Sequence, residues 1–230
     1  MKAQRRHVRA VIFDLDDCLY PERDYVRGGY RAVADSLRDK TGRADDFAAW
    51  LWRRFLAGQA AGALDALNRE FSLGLAPGQV QELVGVYRAH LPAIEPYGGM
   101  IEMLGRLRAR YLVGLLSDGF VAAQRLKVQA LGIERFLDAI VFTDELGREF
   151  WKPSSRGFEL IAQRLGAEPG ACAYVGDNPA KDFVAPNSLG WLSIQIVWPG
   201  QVHAGNVAPP GGQPAIVVRD LEELYRAVLD

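Results

Sequence analysis

The chain has 230 residues, 49% of them hydrophobic, and its 27 lysines and arginines against 28 aspartates and glutamates leave a formal net charge of −1. That length holds one large domain, or a core domain with an insertion, and the apolar fraction suffices for a sizeable core. The near-zero charge excludes a general binder of nucleic-acid polymers or anionic membrane surfaces, and no apolar run approaches the roughly 20 residues of a membrane span.

The basic N-terminus, Met1 to His7, is not followed by a long apolar segment, so a soluble cytoplasmic protein is expected. An apolar run at residues 8–13 then leads into Asp14-Leu15-Asp16-Asp17-Cys18-Leu19. It reads as a buried strand delivering two carboxylates, Asp14 and Asp16, at its end. Open α/β sheets form their ligand crevice at such strand ends. Neighbouring carboxylates repel unless positive charge lies between them, and Mg2+, a hard cation with oxygen ligands, meets that need. Taken alone, the same residues also suit an Asp-rich turn.

From about Pro21 to Pro96 there is no convincing strand. Apolar stripes recur at helical spacing: Val26, Tyr30, Val33 and Leu37; Phe47, Leu51 and Phe55; Leu64, Leu67 and Phe71; Val80, Leu83, Val84, Tyr87 and Leu91. This predicts an all-helical insertion directly after the first strand. Trp50, Trp52 and Phe55 suit either a stacking surface or the insertion's own core, and Arg53 and Arg54 an exposed face.

After Tyr97 the pattern changes. Strand-like runs at 111–116, 139–142, 171–175, 192–198 and 215–218 alternate with helical stripes, among them Ile101, Leu104 and Leu107, then Phe158, Ile161 and Leu165, then Leu221, Leu224 and Val228. Such alternation predicts a parallel sheet with helices on both faces. Residues 200–214, rich in Gly and Pro, read as a long surface loop. Cys18 and Cys172 sit in or beside apolar runs and read as reduced core residues, not a disulfide framework. His7, His90 and His203 show no metal-ligand spacing and are expected to be structural or solvent-exposed.

Three later segments carry polar residues at strand ends. Ser117-Asp118-Gly119 could cradle a phosphate oxygen, with backbone N–H groups of the following helix adding donors; an ordinary helix cap explains the serine equally. Lys152, one of five lysines, lies between Trp151 and Pro153. Gly176-Asp177 ends another apolar run, and Asp182 follows five residues later.

Asp14-Leu15-Asp16, Ser117, Lys152, Gly176-Asp177 and Asp182, in this order, resemble the four motifs of the haloacid dehalogenase-like (HAD) hydrolase superfamily over nearly the whole chain. Cys18 departs from the Thr or Val usual there, a packing change. The resemblance implies a three-layer, Rossmann-like α/β core formed by residues 1–20 and 97–230, with residues 21–96 as a helical C1-type cap. It implies a Mg2+-dependent phosphatase acting on a small phosphorylated metabolite, such as a nucleotide or sugar phosphate. Asp14 would be the nucleophile and Asp16 the acid and base; Ser117, Asp118, Gly119 and Lys152 would bind the phosphoryl group. Asp14, Asp177 and the Asp16 carbonyl would hold the metal, and Asp182 would orient Lys152 or a metal-bound water. Tyr20, Pro21 and Glu22 fall where the family's flap meets substrate, and residues 19–23 and 93–98 would be hinges for cap closure. A phosphomutase shares the motifs, but such mutases carry Gly where Asp17 stands. A dehalogenase would lack Asp16, and a phosphonate hydrolase would need a cap lysine, for which Lys40 has no desolvated setting. A silent binding module would be expected to lack a nucleophile or metal ligand. Oligomeric state is not legible in this sequence.

Overall fold

A computed structural model of the chain describes residues 8–229; His7 and the basic stretch before it lie outside the described residues. The chain divides into two compact units, one of Met1–Glu22 with Ile94–Asp230, the other of Arg23–Ala93.

In the first unit six strands form one sheet in the order β3-β2-β1-β4-β5-β6, every neighbouring pair parallel. They are β1 (Ala10–Phe13), β2 (Leu112–Ser117), β3 (Ala139–Phe142), β4 (Cys172–Gly176), β5 (Leu192–Ile196) and β6 (Ile216–Val218). Each matches an apolar run of the sequence, with its ends shifted by at most two residues. Strand side chains alternate between faces, yet Ala10, Val11, Ile12 and Phe13 are all fully buried. Both faces of the sheet are therefore covered, as an all-parallel sheet requires. The α-helices described in this unit are α6 (Met100–Arg108), α7 (Val121–Leu131), α8 (Arg156–Leu165), α9 (Val184–Ser188) and α10 (Leu221–Leu229), numbered in chain order after the five of the second unit. Phe158, Ile161 and Leu165 of α8 pack with Ile12, Leu116 and Tyr174 in one core cluster, closed by Phe183 and Trp191. Gly114 in β2 lets α8 approach: a Cβ there would lie 2.9 Å from Ile161 Cδ1. Leu104 of α6 and Leu224 of α10 are also fully buried, and α6 and α10 pack against each other, α6 on β2 and α10 on β5 and β6.

The second unit is all helical: most of α1 (Glu22–Ser36), then α2 (Arg38–Thr41), α3 (Ala44–Leu56), α4 (Ala63–Glu70) and α5 (Pro77–Ala89). Its core gathers the expected stripes, from Val26, Tyr30 and Val33 through Phe47, Leu51, Leu64 and Leu67 to Val80 and Leu83. Leu91 is the exception. It lies past the end of α5 and is 83% exposed. Among the described residues no helix is long and apolar enough to cross a membrane.

Candidate active site

The parallel register brings the strand ends together. Phe13 aligns with Leu115 of β2 on one side and Val175 of β4 on the other, and the Asp14 amide donates to the Val175 carbonyl at 2.8 Å. Asp14 directly follows Phe13, and Ser117 and Asp177 stand two residues past Leu115 and Val175, so all three emerge at one edge. The strand order changes direction at β1, where β2 and β4 diverge, and open α/β sheets place their ligands at such a switch point.

Lys152 reaches this edge from the segment between β3 and α8. Its side chain is fully buried, with Nζ 2.8 Å from Asp14 Oδ2 and 2.9 Å from Asp182 Oδ1; it also donates to Tyr174 Oη at 2.9 Å. Burial alone would depress its pKa. The carboxylates of Asp14 and Asp182 outweigh burial and hold Lys152 well above the ordinary lysine value.

Asp14, Asp177 and Asp182 are buried, and each offers a carboxylate oxygen within 4.8 Å of those of the other two. Burial pushes Asp14 up to about 6 against the pull of Lys152. Burial, with the charges of Asp182 and Asp14 behind it, pushes Asp177 well above the usual carboxylate range. Three acids face two ammonium groups, Lys152 in contact with Asp14 and Asp182 and Lys181 bonded to Asp118, which leaves the cluster short of positive charge. Asp182 has partners on both oxygens, Lys152 on one and the Asn178 N–H, at 2.8 Å, on the other. Asp177 does not: its Oδ2 is buried without a hydrogen-bond partner. A buried carboxylate oxygen without a donor is costly, and a cluster of oxygen donors suits a hard divalent cation. The residues present fit that group. Gly176 keeps the cluster tight, because a Cβ there would lie 2.7 Å from Asp182 Oδ2.

Asp16 has its own set of partners. Lys127 Nζ lies 2.7 and 2.9 Å from its two carboxylate oxygens, Gln124 Nε2 donates to Oδ2 at 3.1 Å, and the Tyr20 hydroxyl donates to Oδ1. Burial alone would raise Asp16; the Lys127 charge and these hydrogen bonds outweigh it and hold the carboxyl below its ordinary value. The Gln124 amide also reaches Ser117 Oγ at 2.6 Å and the Asp118 carbonyl at 2.7 Å, so α7 ties Ser117 to Asp16. Asp118 uses its carboxylate within the protein, accepting from Thr143 Oγ1 at 2.7 Å, the Lys152 N–H at 3.1 Å and Lys181 Nζ at 3.2 Å. Gly119 turns the chain into α7 at φ +110°, a conformation side chains disfavour.

Asp17 adopts φ +53°. Aspartate tolerates this left-handed conformation better than most residues. Its carboxylate accepts the Glu22 N–H at 2.8 Å and the Val202 N–H at 2.5 Å. Gln201, buried, donates to the Asp17 carbonyl at 2.8 Å. The stretch read as a plain surface loop is thus pinned to the turn carrying Asp16, and it sets His203 Nε2 3.5 Å from Glu22 Oε2. Burial, then the charge of Asp16, pushes Glu22 up to about 8.

The structure brings together Asp14, Lys152, Asp177 and Asp182, and links Asp16 to Ser117 through Gln124. Sequence reasoning assigned no role to Gln124, Lys127, Thr143, Tyr174 or the loop at residues 201–206. The available signal was a glutamine and a scarce lysine, three residues apart, sharing a helix face with the apolar Ala123, Val128 and Leu131. Tyr20, expected at a substrate-facing hinge, is fully buried and serves Asp16. In the helical unit Trp50 and Phe55 pack against the core, and Trp52 stacks on Phe55 at 5.2 Å. His90 Nδ1 lies 2.7 Å from the Tyr87 carbonyl. Cys18 and Cys172 are free and buried.

A family model described as haloacid dehalogenase-like hydrolase matches residues 8–190. A glyceraldehyde 3-phosphate phosphatase of Methanopyrus kandleri is 28% identical over 197 residues, 82% of this chain and 84% of that protein. The solved structure of a HAD phosphatase from Thermococcus onnurineus superposes with a TM-score of 0.62 at 26% identity, covering 95% of this chain and 97% of its own. That of the HAD-hydrolase YfnB of Bacillus subtilis superposes at 0.70 with 19% identity, covering 96% and 99%, and supports the fold.

Proposed function

The chain belongs to the haloacid dehalogenase-like hydrolases, and on that premise we propose that it hydrolyses small phosphomonoesters in the cytoplasm, with Mg2+, through a phosphoryl group carried on Asp14. The observation that carries this reading is the pairing of a lysine-bound Asp14 with a second carboxylate, Asp16, held separately by Lys127, Gln124 and Tyr20. A phosphoryl transfer through an aspartate needs one carboxylate to attack and another to move protons. Halide release would need only the first.

Asp14 attacks phosphorus while the bond to the leaving oxygen breaks, and Asp16 supplies the proton that the departing alkoxide takes. Water then attacks the phosphorus of phospho-Asp14, Asp16 takes its proton, and Asp14 departs as a free carboxylate. Lys152, against Asp14, offsets charge on the phosphoryl oxygens. Ser117 Oγ and the backbone N–H groups at Asp118 and Gly119 are the proposed phosphoryl cradle, and Asp182 steadies Lys152 at 2.9 Å. Mg2+, bound by the side chains of Asp14 and Asp177 and the Asp16 carbonyl, would supply the positive charge that lets a carboxylate approach a phosphate dianion. Residues 21–96 are proposed as the cap that selects the leaving group.

The Methanopyrus kandleri relative supports a short phosphorylated substrate. The test is phosphate release from glyceraldehyde 3-phosphate, sugar phosphates and nucleoside monophosphates, with Mg2+ and with chelator. Release that requires Mg2+ and favours the three-carbon ester is expected. No release from any ester, or release unaffected by chelator, contradicts the proposal.

A further inference from the structure

Among the described residues the buried lysines are Lys127 and Lys152. Each is paired with one of the first motif's aspartates: Lys152 with Asp14, Lys127 with Asp16. A buried lysine is rare unless it has a partner that requires it. We propose that Lys127 is a positioning residue for the second half of the reaction, fixing the Asp16 carboxylate so that it takes the proton of the water attacking phospho-Asp14. This rests on the phosphatase reading above.

The geometry is specific. Lys127 projects from α7 one turn after Gln124, with its side chain 7% exposed, and its ammonium spans both oxygens of Asp16 at 2.7 and 2.9 Å. Gln124 and Tyr20 hold one oxygen each. The plane of the carboxylate is set from three sides. In the step concerned, the water oxygen bonds to phosphorus as the bond from phosphorus to Asp14 breaks. The water proton passes to Asp16, and the electron pair of the broken bond stays with Asp14. Lys127 touches neither water nor phosphorus in this assignment; it acts through Asp16.

The test uses 4-nitrophenyl phosphate with Mg2+ in stopped flow, because nitrophenolate departs without needing a proton. The first half-reaction then reports little on Asp16, and the second reports on it fully. Lys127→Met is expected to lose about a hundred-fold in kcat, the low end for a general base. KM should fall in parallel, kcat/KM should stay near that of the unaltered protein, and a burst of nearly one nitrophenolate per site should precede the slow phase. Lys127→Arg should restore part of kcat. Lys127→Gln, which keeps a donor and removes the charge, carries the same test if the methionine variant does not fold. A fall in kcat with unchanged KM and no burst would show a merely structural lysine and overturn the proposal, as would unchanged kcat. If the unaltered protein releases no nitrophenolate, the phosphatase reading has failed first; if it does and the variants show no burst, only the role of Lys127 has failed.

Discussion

Replacing Lys152 by methionine removes the ammonium that bonds Asp14 and Asp182 while keeping the volume of its stem. The lysine side chain is fully buried and bonds Asp14, Asp182 and Tyr174 at 2.8, 2.9 and 2.9 Å. Breaking a buried ion pair by removing one partner costs about 3–5 kcal/mol, because the other charge is left uncompensated. For a protein of this size about 1 kcal/mol moves the thermal midpoint by about 2–4 °C. A fall of roughly 6–20 °C at pH 8 without divalent cation follows from those two figures. The stranded acids relieve themselves by taking up protons, so the deficit should shrink at pH 5. Adding Asp182→Asn to Lys152→Met should recover part of the loss, since the pair shares one contact. Activity should drop by about a hundred-fold to a thousand-fold. Calorimetry of the two single variants and the double variant, at both pH values, is the assay. A Lys152→Met protein within about 1 kcal/mol of the unaltered protein at pH 8 would refute the reasoning.

Gly176→Ala should damage the site without touching a reacting group: the new Cβ would lie 2.7 Å from Asp182 Oδ2, a buried oxygen already bonded to the Asn178 N–H. A loss of about 1–3 kcal/mol is expected, together with weaker Mg2+ activation; full Mg2+ response at normal stability would contradict the packing argument. The metal-free protein should also lose stability as pH rises. Asp14 stands at about 6 and Glu22 at about 8, above their ordinary values of 3.8 and 4.5. The folded state thus holds more protons than the unfolded chain in that window, even though His203, kept below the ordinary imidazole value chiefly by burial, works the other way near pH 6. Their contribution is complete below the ordinary values and is lost as pH climbs through 6 and then 8. Asp16 and Asp118, held below the ordinary range, do not oppose this trend above pH 5. In chelator the thermal midpoint should fall from pH 5 to pH 8, and Mg2+ should flatten the slope. A flat or rising midpoint in chelator would contradict it.

The sheet was legible because each strand is a short apolar run buried on both faces, so hydrophobicity alone marks it. Asp14, Asp177 and Lys152 were legible because they stand just beyond such runs or in a distinctive local setting. What escaped was carried by residues whose local pattern is silent. Gln124 and Lys127 lie on a helix, and only the crossover that lays α7 beside the β1 turn gives them Asp16 as partner. Tyr20 reads as a residue of the substrate-facing hinge until its hydroxyl is seen to donate to Asp16. The Gly- and Pro-rich stretch after β5 has the composition of a free loop, and its anchors, Gln201 and Val202, bond to Asp17 across more than 180 residues of chain. Leu91 shows the opposite error: it continues an apolar spacing by chance after its helix has ended.

The central claim is that phosphorus is bonded to Asp14 during turnover. The direct measurement is rapid acid quenching in the steady state, followed by mass analysis of the peptide containing Asp14. The account predicts that this peptide gains one phosphoryl group in the presence of Mg2+, and that the label clears when substrate is exhausted. Steady release of phosphate with that peptide never labelled, or with the label on another residue, would contradict it.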